Sequence, residues 1–244
     1  MDKNWLERTE LLIQKNGIEA LQNSHVLVVG LGGVGSFAAE FLARSGVGKM
    51  TIVDGDDVDI TNINRQLPAL HSTIGKKKIE IVSERLKDIN PEIDLIEIPE
   101  FLGPEMMENL FKNSKFSYIV DCIDSVSPKV ELIKMAKRNR VKMVSCFGAG
   151  GKVDPSKVKV LDISKTSSCF LAKTVRKRLK KAKINKGIRC VFSTEIQDEK
   201  SLQLTDGANY KRSFYGTISY MPAIFGLYAA AETIQFILKK NIEI

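Results

Sequence analysis

A chain of 244 residues, 43% hydrophobic and 27% charged, can bury one full-sized core and has the balance of an ordinary globular protein. Its four cysteines, Cys122, Cys146, Cys169 and Cys190, are scattered with no CxxC pair, which excludes a four-cysteine zinc site and a disulfide framework and suits a reducing, cytoplasmic setting. The net charge of +8 is concentrated: Ile163 to Thr194 holds ten cations and no acid, and the remainder has 27 basic against 29 acidic residues.

The N-terminus, MDKNWLERTELL, is polar and charged, with no apolar run of the signal-peptide kind behind it. Apolar runs then predict strands at Val26–Val29, Met50–Val53, Leu95–Ile98, Tyr118–Asp121 and Lys142–Cys146. Between them, Val34–Arg44, Lys77–Ile89, Pro104–Phe111 and Pro128–Asn139 have helical spacing or helix-starting residues. This alternation predicts an α/β fold with a doubly wound, mainly parallel sheet, whose ligands bind beyond the carboxyl ends of the strands. From Gly148 the rhythm changes to a strand at Lys159–Ile163, a basic helix near Leu171–Ala182, an apolar run at Cys190–Ser193, a polar loop around Asp198–Asn209 and a long C-terminal helix. Residues 1–151 thus form one part, and 152–244 form a smaller basic lobe and C-terminal helix of the same domain. The uncharged stretch Phe214–Ala231 contains Gly216, Ser219, Pro222 and Gly226 and reads as a buried core or dimer helix, with no stable membrane insertion.

The stretch VLVVGLGGVGS places Gly30, Gly32 and Gly35 at the spacing of a dinucleotide-binding turn, with Gly33 between them. Asp54 ends the second strand where an acid would hold ribose hydroxyls, so the turn alone leaves NAD and ATP undecided. DGDDVDITNINRQ then sets Asp56, Asp57 and Asp59 beside Asn62, Asn64, Arg65 and Gln66, and GKKK ends on Lys78. Arg65 and Lys78 suit the charge of a triphosphate and its leaving pyrophosphate, for which a nicotinamide site has no need. Asp124, in DCIDS, ends the fourth strand and is placed to hold Mg²⁺ through one carboxylate and phosphate oxygens. Asp57 and Asp59 read as a solvated loop, and Lys76 and Lys77 as surface charge. His25 and His71 lack metal-ligand spacing.

VVGLGGVGS, TNINRQ, GKKK and DCIDS together resemble the adenylating domain of the ThiF/MoeB/E1-like superfamily, whose members activate a carboxylate as an acyl-adenylate. The resemblance implies a Rossmann-like ATP-binding domain. Gly32 and Gly33 would approach the nucleotide, Asp54 would take its ribose, and Asp56 would be among the residues that bind it. Asn62, Arg65 and Lys78 would bind phosphates, while Asp124 would meet Mg²⁺ and Ser125 would lie alongside. Arg8 matches an arginine that in the superfamily reaches the partner subunit's ATP, which implies a homodimer.

The second half selects the branch. AGG at 149–151, VDP at 153–155, VRKRLKK and CVFSTE resemble the tRNA threonylcarbamoyladenosine dehydratases. That resemblance implies ATP-dependent cyclisation of the threonylcarbamoyl group on adenosine 37 of tRNA. It gives the basic helix a use: Lys173, Arg176, Lys177, Arg178, Lys180 and Lys181 would contact a polyanion. The alternative is an activator of a small ubiquitin-like sulfur carrier, against which the missing CxxC pairs count. A non-catalytic RNA-binding protein and a dehydrogenase rank lower still. A sulfur-transfer or redox partner protein, and a reactive role for Cys169 or Cys190, stay open at this point.

Overall fold

The computed structural model describes residues 5–204 and 213–241. Seven strands form one sheet in the order β3-β2-β1-β4-β5-β7-β6. They are β1 (His25–Val29), β2 (Lys49–Val53), β3 (Asp94–Ile98), β4 (Tyr118–Asp121), β5 (Met143–Cys146), β6 (Val158–Asp162) and β7 (Arg189–Ser193). All neighbours are parallel except β6, which pairs antiparallel with β7. The central strands β1 and β4 are buried along their whole length, as continuous apolar runs in a sheet covered on both faces should be.

One face is covered by α1 (Glu7–Gln22), α2 (Gly35–Arg44), α3 (Lys78–Ile89) and α7 (Tyr220–Asn241), which share a core with Val26, Val28 and Val120. The other is covered by α4 (Pro104–Asn113), α5 (Val126–Arg138) and α6 (Phe170–Lys181), packed on Leu27, Val29 and Ile119. Residues of alternating parity along β1 thus feed two separate cores. Pro128 lies inside the first turn of α5, where its missing N–H breaks no helical hydrogen bond. α1 is kinked at Gln14, whose φ is 60°.

β6, β7 and α7 belong to the later part of the chain, yet they complete the same sheet and the same core. Among the described residues α7 is the one helix long and apolar enough to cross a membrane, and half of its apolar window is buried within the fold. Met221, Phe225, Ala229 and Ala230 pack into the sheet core. Gly226 permits a close crossing with α2: a Cβ there would lie 2.4 Å from the Val34 carbonyl oxygen. Between Asp198 and Asn209, where a polar loop is expected, the chain forms a short strand β8 (Leu202–Leu204), which pairs antiparallel with β9 (Ser213–Tyr215). Residues 205–209 of that expected loop lie outside the described residues.

Candidate active site

β1 and β4 are adjacent, but the chain leaves them in opposite directions across the sheet, so their carboxyl ends open a crevice at the topological switch point. The glycine turn fills its floor. Gly35 starts α2 so close to the end of β1 that a Cβ would sit 1.7 Å from the Gly30 carbonyl oxygen, an approach no other residue permits. Gly32 faces a looser space, where the nearest atom to an added Cβ is Gln66 Nε2 at 3.7 Å. Gln66 Oε1 is buried and accepts no hydrogen bond from the described residues. That orphaned acceptor beside a glycine is the feature expected of a site shaped for a bound group.

Asp54 holds the turn in place. Its Oδ2 accepts the Leu31 N–H at 2.6 Å and its Oδ1 accepts the Asp56 N–H at 2.8 Å. Burial pushes its pKa up, opposed by those two N–H donors and by the charge of Lys78. A carboxylate has about four lone-pair sites, so each oxygen can still accept a further hydroxyl. Asp56, more exposed, pairs with Lys78, whose Nζ lies 3.0 Å from Oδ2. Lys78 opens α3, and its ammonium is almost fully buried against that one carboxylate.

The segment after β2 is held by its own polar side chains. Asp57 pairs with Lys77 at 2.7 Å, and Asp59 caps a short 3₁₀ turn by accepting the Thr61 N–H at 2.8 Å. Asp57 and Asp59 are exposed, as expected of a solvated loop, and Lys77 is a surface charge that pairs with Asp57. Asn62 is buried within the turn, its Oδ1 accepting the Asp59 N–H at 3.3 Å. Arg65 Nη1 donates to the Thr61 carbonyl at 2.8 Å and to Asn64 Oδ1 at 2.9 Å. Burial pulls its pKa below the ordinary range, while the nearby charge of Asp124 acts in the opposite sense. An added Cβ on Gly33 would lie 3.0 Å from the Arg65 carbonyl oxygen, so this arginine borders the glycine turn.

Asp124 and Ser125 stand between β4 and α5. Asp124 is exposed, Ser125 is buried, and Ser125 Oγ donates to Asp124 Oδ1 at 3.3 Å. Behind them lies a polar group that sequence reasoning missed. Lys129 Nζ is 2.7 Å from Asp121 Oδ2, Ser145 Oγ donates to the same oxygen at 2.6 Å, and both charged side chains are 0% exposed. Asp121 Oδ1 accepts the Ile123 N–H at 3.0 Å, so this buried pair fixes the turn that carries Asp124. Lys129 also lies over the Phe147 ring, 5.2 Å from its centroid. A sequence signal was present: an acid closing an apolar strand, and a lysine in the first turn of the next helix.

The N-termini of α2 and α5 both meet the crevice, each bringing partial positive charge and backbone N–H groups. With Arg65 and Lys78, the arrangement suits a polyphosphate, and the single exposed carboxylate of Asp124 is of the kind that Mg²⁺ uses together with phosphate oxygens. Among the described residues no three His, Cys, Asp or Glu side chains cluster as a metal site.

Other expected residues lie elsewhere. Arg8 is exposed in the first turn of α1 and makes no ion pair among the described residues. The α6 cations are distributed around a helix whose Ala172, Val175 and Leu179 are fully buried. Cys169 precedes α6 and is buried, while Cys190 is wholly buried in β7, where desolvation pushes its thiol pKa well up and away from reactivity. His25 is buried beside Phe116 and bonded to Thr51 Oγ1 at 2.9 Å. Glu195 accepts the Val153 and Asp154 N–H groups, which fastens the glycine turn following β5.

The profile described as the ThiF family matches residues 6–244. A tRNA threonylcarbamoyladenosine dehydratase of Bacillus subtilis (strain 168) is 41% identical, with 97% of this chain and 95% of that protein covered. One from Haemophilus influenzae is 39% identical over 94% of this chain and 92% of the relative. A crystal structure of Escherichia coli tRNA N6-threonylcarbamoyladenosine dehydratase in complex with ATP superposes with a TM-score of 0.86 at 36% identity, covering 96% of this chain and 94% of that one.

Proposed function

The chain belongs to the ThiF family, and from that membership we propose that it is an ATP-dependent enzyme that dehydrates, by cyclisation, N6-threonylcarbamoyladenosine at position 37 of tRNA. The observation that carries the reading is the convergence of Arg65, Lys78 and Asp124 with two helix N-termini on the glycine turn, in a chain similar along nearly all its length to dehydratases of that name.

Gly32 and Gly33 form the floor under the nucleotide, and Asp54 accepts a ribose hydroxyl on the oxygens that hold the turn. Asn62 and Arg65 receive phosphates. Lys78 shares its ammonium between Asp56 and the triphosphate, an exchange of one anion for another that needs no movement of the helix. A carboxylate oxygen of the tRNA-borne threonyl group attacks the α-phosphorus, the bond to pyrophosphate breaks, and a carboxyl-adenylate results. An intramolecular nucleophile then attacks the activated carbonyl, the ring closes, and AMP departs with the former carboxylate oxygen. Arg65 and Lys78 neutralise charge that grows on the leaving pyrophosphate, and the buried Lys78 counts for more there than it would in water. Asp124 would hold Mg²⁺, which would screen the phosphate oxygens. Ser125 orients the Asp124 carboxylate.

The exposed position of Arg8 supports a homodimer in which each α1 reaches its partner's nucleotide. The proposed tRNA substrate and the free cysteines support a cytoplasmic location. Incubation with ATP, Mg²⁺ and threonylcarbamoylated tRNA tests the proposal: the modified nucleoside, released and weighed, is expected to lose the mass of one water. An unchanged mass in the presence of all components would refute it.

A further inference from the structure

We infer that tRNA is gripped by one face of α6 only, a groove whose cations are Lys173, Arg176, Lys177 and Lys180. The inference rests on the tRNA reading above and narrows the expected contact set from six residues to four.

At 100° per residue, the buried stripe of Ala172, Val175 and Leu179 divides the remaining helix surface in two. Lys173, Arg176, Lys177 and Lys180 fall on one side, where with Ile163, Ile184 and Asn185 they line a groove of about 360 Å³. Arg178 and Lys181 fall on the other. Arg178 is engaged there, its Nη1 donating to Ser127 Oγ on α5 at 2.8 Å. Lys181 ends the helix, where a cation offsets the negative end of the helix dipole.

Three of the four groove cations have no such employment. Lys173, Lys177 and Lys180 make no ion pair or side-chain hydrogen bond among the described residues. Arg176 is steadied by Thr166, whose carbonyl accepts from Nη1 at 2.8 Å, and a guanidinium keeps further donors. Asp162, the acid next to Ile163, makes no ion pair with them among the described residues. Burial pushes its pKa up, but the donors around it outweigh that and lower it, its oxygens accepting the N–H groups of Ser164 at 2.9 Å, Gly187 at 2.6 Å and Ile188 at 3.2 Å. Lys173, Lys177 and Lys180 are exposed and keep no ion-pair partner among the described residues.

Lys173 to Lys180 spans roughly 10 Å at the α-helical rise. That length exceeds one phosphate group and reaches successive phosphates of a nucleic-acid backbone. The ladder thus matches a stretch of nucleic-acid backbone better than a single anion. The apolar walls from Ile163 and Ile184 lower the local dielectric and strengthen each contact.

Two double variants with equal change in net charge separate this contact from the general field of the basic segment. Lys177→Ala with Lys180→Ala removes two groove cations, and Arg178→Ala with Lys181→Ala removes two from the opposite side. Affinity of the full chain for threonylcarbamoylated tRNA is measured across salt concentrations, with melting curves to verify folding. The groove pair is expected to weaken binding about tenfold and to reduce the log–log salt slope by about 1.4 to 1.8, the loss of two phosphate contacts. The opposite pair is expected to weaken binding less than about threefold. Equal effects from the two pairs, or no effect from the groove pair, would overturn the inference while leaving the catalytic proposal standing. If the groove pair keeps its tRNA affinity but loses adsorption to phosphatidylserine vesicles, the groove belongs to a lipid surface and the inference again fails. A parent chain that neither binds nor dehydrates the tRNA refutes the functional proposal itself.

Discussion

Replacing Lys129 with methionine tests how the turn carrying Asp124 is held. The ammonium is 2.7 Å from Asp121 Oδ2, both side chains are 0% exposed, and Ser145 Oγ completes the group. Removing one member of a wholly buried pair leaves the other charge uncompensated, at a cost of about 3–5 kcal/mol. At roughly 2–4 °C per kcal/mol for a chain of this size, Lys129→Met should lower the melting temperature by about 6–20 °C. The double variant Asp121→Asn with Lys129→Met removes both charges and keeps the amide able to meet Ser145 and the Ile123 N–H. It should recover to within about 2 kcal/mol of the parent. Urea denaturation at neutral pH gives the four stabilities of the cycle, and a coupling energy of about 2 kcal/mol or more is expected. If Lys129→Met melts within about 1 kcal/mol of the parent, the pair is not what fixes this turn.

Lys78→Ala and Arg65→Ala should each reduce carboxyl-adenylate formation by about a hundredfold or more, as loss of a preorganised charge contact does, while tRNA affinity stays near the parent's. Pyrophosphate release and tRNA binding measured on one preparation check this, and full activity in either variant contradicts the phosphate roles. Gly35→Ala should destabilise the fold by more than about 2 kcal/mol and abolish ATP binding, because its Cβ would lie 1.7 Å from the Gly30 oxygen. Calorimetry with and without ATP decides between that result and a parental profile. His25, whose pKa burial pushes down to about 4, stays neutral in the fold while an unfolded imidazole protonates below about pH 6.5. The fold therefore loses stability as pH drops from about 6.5 to 4, by no more than about 3 kcal/mol, and His25→Gln should flatten that slope. A slope identical in the two proteins would show that another group governs it.

Much of the nucleotide half was legible because its signals are local. The strand expected at Tyr118–Asp121 is the strand found, and Val26–Val29 needs only His25 added, since strands buried on both faces are unbroken apolar runs. Arg65, Lys78 and Asp124 stood out because charge beside a glycine turn has few other uses. The Asp121, Lys129 and Ser145 group was legible only in part: the acid ending an apolar strand and the lysine in the next helix are local signals, but only the sheet order brings Ser145 to them. α1 was missed for a related reason. Leu11 and Leu12, its most apolar pair, are exposed, while Gly17, Ile18 and Leu21 beyond the Gln14 kink are buried, so no single helical stripe runs through it. The pairing of β8 with β9 depends on partners across residues of polar character, where alternation gives no guide. The division of the α6 cations into two faces follows from helical geometry, but which face is engaged required the positions of Ser127 and Asp162.

Dehydration through a carboxyl-adenylate moves one carboxylate oxygen onto the nucleotide, so the fate of that atom decides the mechanism. Threonylcarbamoylated tRNA carrying heavy oxygen in the threonyl carboxylate is converted with ATP, and the nucleotide products are weighed. One heavy oxygen is expected in the phosphate of AMP and none in pyrophosphate. Heavy oxygen recovered in inorganic phosphate with ADP as co-product, or released only as water, would contradict it.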